Sequence, residues 1–166
     1  MLLEHAGNGA VRITTTICGS FHEPNLSEVV RVIWRFRRLG IPVLSPIGRK
    51  PIEVELDFVR FRSKVTEAMT EEKIEELHLE KIAESTFSYF VLTRGYVGSM
   101  TAMELRYAAE AGKPRFCSEL PSDPHLRKLI DMVATPEEVS HIAWQFGFDL
   151  NGNHSLHIPI KLKSSP

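Results

Sequence analysis

Residues 86–118 read "TFSYFVLTRGYVGSMTAMELRYAAEAGKPRFCS", and the fold turns on how this stretch is parsed. "TFSYFVL" (86–92) is a short apolar run rich in aromatics, suited to a strand buried on both faces. Gly95 and Gly98 punctuate a loop over 93–98, a helical stretch runs on to Gly112, and "KPRFCS" (113–118) begins another strand. Strand, loop, helix and strand in about 30 residues is the pattern of a parallel βαβ unit.

The same alternation extends in both directions. "RITTTIC" (12–18) is β-branched and stops at Gly19, which reads as a buried strand. Leu26, Val29, Val30, Ile33 and Trp34 then recur at helical spacing, with Asn25 and Glu28 as a capping box and Gly40 as the stop. "IPVLSP" (41–46) is a second strand closed by Pro46. Residues 47–58 have no clean period and read as a loop leading into a helix around 57–68. Thr70 opens a helix with Glu71 and Glu72 in its first turn, where acids suit the helix dipole, and Ile74, Leu77, His78 and Ile82 on its inner face. Downstream, "DPHLRKLIDMV" (123–133) and "TPEEVSHIAWQFG" (135–147) are helical runs, the second capped by Thr135 ahead of Pro136.

Strand and helix alternating over 12–147 predict an α/β domain, a doubly wound parallel sheet with helices on both faces. Residues 1–11 read as a leader. Residues 148–166 form a separate tail with a β-hairpin signal at Asn151-Gly152, which Pro159 would push to a sheet edge or a partner's surface.

Composition excludes several classes. Lys plus Arg is 20 against 21 Asp plus Glu, and a net charge of −1 argues against binding a nucleic acid polymer through phosphate neutralisation. Cys18 and Cys117 are too few for a disulfide framework and stand in no CxxC, so they read as buried thiols. No apolar stretch reaches the roughly 18 residues of a membrane span. "MLLEHAGNGA" lacks the basic-then-apolar run of a signal peptide, so the expectation is a cytoplasmic chain.

In an open α/β sheet, ligands bind beyond the carboxyl ends of the strands. "CGSFHEPN" (18–25) arrives there with Gly19 for close approach and Ser20 as a polar contact, ahead of a helix N-terminus suited to an anion. The alternative is a tight turn that needs a glycine. Neither GxGxxG nor GxxxxGK[ST] occurs, which excludes standard dinucleotide and P-loop sites. Tyr96, between the two loop glycines, has the face to stack on a ring.

Glu104 has two readings. With a helix starting near Ser99, its side chain leans back to the rim, and the dipole favours a carboxylate suited to attack on an anomeric carbon. With a helix starting at Thr101, "TAME" is a capping box and Glu104 bonds a backbone amide. Arg49, Lys50, Asp57, Arg60 and Arg62 form either a phosphate contact or a solvated face. His78 reads as a core or rim histidine. No sequence spacing suggests a metal site.

Together, "ITTTICGSF" (13–21) and "GYVGSMTAMELRYAAEAGKP" (95–114) resemble the nucleoside 2-deoxyribosyltransferase-like superfamily of nucleoside and nucleotide N-glycosidases. The second segment is similar to that family's G-x-x-T-x-x-E-x-x-Y-A pattern, and the resemblance covers about residues 12 to 120. It implies a flavodoxin-like fold, no cofactor, a nucleoside or nucleotide as ligand, and a homo-oligomer, dimer or larger. Glu104 would be the nucleophile. Gly19, Ser20 and Phe21 would face the 5′ side of the ligand, with Gly98, Ser99 and Thr101 around the sugar. Acids common in the family at the positions matched to His78 and Thr86 are absent here, and His78 would take a polar role in place of one. A non-catalytic nucleotide-binding sensor or scaffold of the same fold is the rival reading.

Overall fold

The computed structural model describes residues 12–21, 25–48, 51–54 and 59–146. The leader and the tail lie outside these residues, and so does the Asn151-Gly152 hairpin signal. Five parallel strands form the main sheet: β1 (Thr15–Gly19), β2 (Val43–Ser45), β5 (Phe87–Val91), β6 (Arg115–Cys117) and β7 (Met132–Val133). Their order is β2-β1-β5-β6-β7. Counting only these five along the chain, that is 2-1-3-4-5, the flavodoxin-like order, with its topological switch point between β1 and β5.

Every residue of β1 and β5 is buried, and their side chains alternate between two layers. Ile17, Phe87, Tyr89, Val91 and Phe116 face α1 (Asn25–Arg38) and α5 (Pro136–Phe146), meeting Val29, Ile33, Phe36, Val139 and Ala143. Phe36 is the hub, with ring centroids 5.7 Å from Phe87 and 5.1 Å from Tyr89. Cys18, Phe90 and Cys117 face the opposite layer, where Ile82 of α2 (Glu71–Glu84) packs with Leu105 and Ala108 of α3 (Ser99–Glu110). Both cysteines are buried and free. No helix among the described residues is long and apolar enough to cross a membrane.

Two expectations are corrected. The helix expected around 57–68 is absent; β3 (Pro51–Val54) and β4 (Val59–Phe61) pair antiparallel as a separate hairpin, followed by turns. The sequence "PIEVELDF" (51–58) alternates apolar and acidic residues with period two, which suits a strand and not a helix. The helix expected over 123–133 is only α4 (Pro124–Arg127), and Met132–Val133 becomes the fifth strand. Asp131 causes the change: its carboxylate accepts from the Arg115 amide at 2.8 Å and the Arg115 guanidinium at 2.9 Å. Its own amide donates to the Arg115 carbonyl at 2.9 Å. These bonds hold the chain against β6 in an extended path.

The caps read from Thr70 and Thr135 do form. Thr70 accepts from the Lys73 amide, and Thr135 exchanges two bonds with Glu138, 2.7 and 3.3 Å. Thr135→Ala is expected to lower stability by about 1 kcal/mol, read as a reduced urea midpoint at unchanged slope.

Candidate active site

The cavity opens at the carboxyl end of the sheet, beside the switch point, with a volume of about 220 Å³. Gly19, Ser20 and Phe21 enter it from the end of β1, and Ser45 from the end of β2. Tyr96, Gly98, Ser99, Thr101 and Glu104 come from the β5–α3 segment, and Ile74, Leu77 and His78 from α2. All nine residues nominated from sequence therefore line one cavity. The half-exposed inner face of α2 is explained by it, because Ile74, Leu77 and His78 border space and not packed core.

The start of α3 decides between the two geometries open for Glu104. The helix begins at Ser99 with Gly98 as N-cap, and the Ala102 amide donates to the Gly98 carbonyl at 2.9 Å. Thr101 is then a buried residue inside the first turn, so the Thr101–Glu104 capping box does not exist. Glu104 lies in the second turn with its carboxyl group against the cavity. Its Oε1 is 3.3 Å from His78 Nε2, and its Oε2 is buried with no hydrogen-bond partner among the described residues.

The second capping box, Asn25 with Glu28, does not form either. Asn25 Nδ2 donates to the carbonyls of Ser20 at 2.6 Å and Val91 at 3.2 Å. Its Oδ1 accepts from the Thr93 amide at 3.1 Å and from the Thr93 hydroxyl. The side chain thus ties the β1 and β5 rim segments together, and Glu28 pairs with Arg31 instead. Gly19 belongs to the same junction. A Cβ there would stand 2.7 Å from the Val91 carbonyl oxygen, so the protein's own backbone requires the bare α-carbon.

The loop over 93–98 is anchored at one of its two glycines. Gly95 has φ +70°, and its carbonyl accepts from the Ser122 amide at 2.8 Å. A Cβ would come within 2.7 Å of Ser122 Oγ and 2.8 Å of the Leu120 carbonyl. Gly95→Ala is expected to cost about 1–2 kcal/mol, visible as a lower melting temperature with the fold retained. Tyr96 next to it is 62% exposed at the mouth, leaving its ring free to receive a flat ligand.

Electrostatically the floor of the cavity is neutral. Burial pushes the Glu104 carboxyl up to about 8, and Glu75 adds repulsion, while a hydrogen bond from the Cys18 thiol works in the opposite direction. The ionised Glu104 expected from the helix dipole is therefore corrected: desolvation outweighs the dipole, and the resting group holds its proton at neutral pH. Burial likewise lowers His78 to about 4, so its ring is uncharged. Burial raises the Cys18 thiol well above its ordinary value, with the neighbouring Glu104 adding to the rise. No lysine or arginine among the described residues lines the cavity.

Two contributors were missed. Ser45 Oγ is 2.6 Å from His78 Nδ1, and Cys18 Sγ is 3.6 Å from His78 Nε2. Each stands at the end of a strand, which placed it at the rim, but nothing local pointed either side chain toward α2. Arg49, Lys50, Asp57 and His22 lie outside the described residues, and Arg62 is exposed. Thr86 sits at the opposite end of the sheet, exchanging bonds with Thr14 at 3.0 and 3.2 Å, and does not reach the cavity.

No family model matches the sequence, and no curated protein matches it either. Solved structures do match. A 2-deoxyribosyltransferase from Bacillus psychrosaccharolyticus aligns over 76% of this chain and 90% of its own, at 20% identity and a TM-score of 0.54. A conserved protein from Enterococcus faecalis V583 aligns over 78% of this chain and 96% of its own, at 14% identity and a TM-score of 0.52. The chain therefore has a nucleoside 2-deoxyribosyltransferase-like fold.

Proposed function

We propose that the chain acts on a nucleoside or nucleotide, breaking its N-glycosidic bond or transferring its 2-deoxyribosyl group, with Glu104 as nucleophile. The observation that carries this reading is the Glu104 carboxyl at the cavity floor, one oxygen buried with no hydrogen-bond partner among the described residues. The likeness to a 2-deoxyribosyltransferase supports it. Tyr96 stacks on the base, Ser99 and Thr101 border the sugar, and Gly19, Ser20 and Phe21 face the 5′ side. Glu104 attacks C1′, and the C1′–N bond breaks with its electron pair leaving on the base, which takes up a proton. Water or a second base then displaces the sugar from the carboxylate ester. The proton that Glu104 gives up on attack is the one the leaving base takes up, because burial makes His78 too weak a base to hold it.

The test is a product screen by liquid chromatography over ribo- and deoxyribonucleosides and their 5′-monophosphates, with and without an acceptor base. Release or exchange of a base is the expected result. The protonated resting carboxyl favours a second reading, a nucleotide-binding module without turnover. Binding seen by thermal shift with no product across the panel would select it. A homo-oligomer, dimer or larger, is part of the proposal, and light scattering of the full chain reads its mass.

A further inference from the structure

Cys18, His78 and Glu104 come from β1, α2 and α3, and their donor atoms converge within 4.8 Å of one another. We infer that these three side chains form a site for a divalent cation of the zinc class.

The spacing carries the argument. Tetrahedral zinc, with bonds of about 2.3 Å to sulfur and about 2.0–2.1 Å to nitrogen and oxygen, separates its S and N ligands by about 3.6 Å and its N and O ligands by about 3.3 Å. Cys18 Sγ to His78 Nε2 is 3.6 Å, and His78 Nε2 to Glu104 Oε1 is 3.3 Å. Hydrogen bonding at Nε2 alone accounts for these contacts incompletely. They leave Glu104 Oε2 buried with no hydrogen-bond partner among the described residues. A carboxylate can bind a cation through both oxygens, so a cation among the three would give Oε2 a partner as well.

The surroundings suit a metal. Ser45 Oγ lies 2.6 Å from His78 Nδ1. With Nδ1–H donating to that hydroxyl, the Nε2 lone pair turns to Cys18 and Glu104, the usual outer-shell support of a ligating histidine. Glu104 and His78 border the cavity, which leaves a fourth coordination position open to water and gives an entry path. One thiolate, one imidazole and one carboxylate select a borderline-soft ion over magnesium or calcium, which need mostly oxygen ligands. On binding, Cys18 releases its thiol proton and Glu104 its carboxyl proton to solvent, and the two resulting anions neutralise the dication. The site stands independently of the proposed glycosidic activity.

Cobalt titration of the full chain tests it. Wild type is expected to develop tetrahedral Co²⁺ bands in the visible together with a sulfur-to-cobalt charge-transfer band. Equimolar Zn²⁺ should erase both, and excess Mg²⁺ should leave them. Cys18→Ser should remove the charge-transfer band. Glu104→Gln should weaken Co²⁺ binding by at least about tenfold, and Ser45→Ala by about 10–100-fold through the histidine. Circular dichroism reports whether each variant folds. If Cys18→Ser does not fold, the affinities of Glu104→Gln and Ser45→Ala decide. An octahedral aquo-ion spectrum alone in the wild type overturns the site. A charge-transfer band that survives in folded Cys18→Ser does so too, because it would belong to Cys117.

Discussion

Glu104→Gln is expected to abolish base release, by on the order of 10⁴-fold or more, while the protein stays folded and still binds its ligand. The amide has the carboxyl group's shape and matches its resting charge, since burial already holds Glu104 protonated at neutral pH. The substitution therefore removes the ability to form a carboxylate without introducing a void or a charge. Its NH₂ faces His78 Nε2 at the position now held by an oxygen 3.3 Å away. Glu104→Asp adds a graded version: the carboxylate retracts by one methylene, and a misplacement of this size costs about 10²-fold in rate. Liquid chromatography of released base, with ligand binding followed by thermal shift, reads both. Turnover that survives Glu104→Gln would remove Glu104 from the chemistry and send the search to another group in the cavity.

Asn25→Ala is expected to cost about 3 kcal/mol or more of stability and to weaken ligand binding with it. The loss exceeds that of one hydrogen bond because the removed amide serves four groups on two rim segments. Truncation leaves the Val91 carbonyl and the Thr93 amide without the partner that satisfied them in a buried junction. Asn25→Asp keeps the shape and the acceptor for Thr93, yet it turns an oxygen toward the carbonyls of Ser20 and Val91, so it should recover little. Urea denaturation of both variants gives the measurement. A loss below about 1 kcal/mol, the worth of an ordinary helix cap, would mean that the rim holds together without this side chain.

The parts of the fold that were legible in sequence are those set by short-range patterns. A buried strand such as Phe87–Val91 announces itself because both faces need apolar or small side chains, and Thr135 announces a helix start because its partner is three residues away. The errors have a common cause. Asn25 and Thr101 match a local cap pattern, but long-range partners or the preceding glycine took the role first. Met132–Val133 is a strand because Asp131 bonds to Arg115, sixteen residues upstream, a contact no local window contains. Glu104 was singled out through its resemblance and its place on a helix, whereas its protonation depends on burial by α2 and β1, which no local window contains. Cys18 and Ser45 were hidden for the same reason.

The β3–β4 hairpin, inserted in the crossover from β2 to β5, pairs with neither. Phe61 from this hairpin packs edge-on against Phe21, 5.8 Å between centroids, and both border the cavity. The wall that shapes the cavity is thus hung on a graft that sets no strand register, while Glu104, His78 and Cys18 stand on the scaffold. Such a division lets the hairpin side of the cavity be exchanged as a unit without moving Glu104, His78 or Cys18.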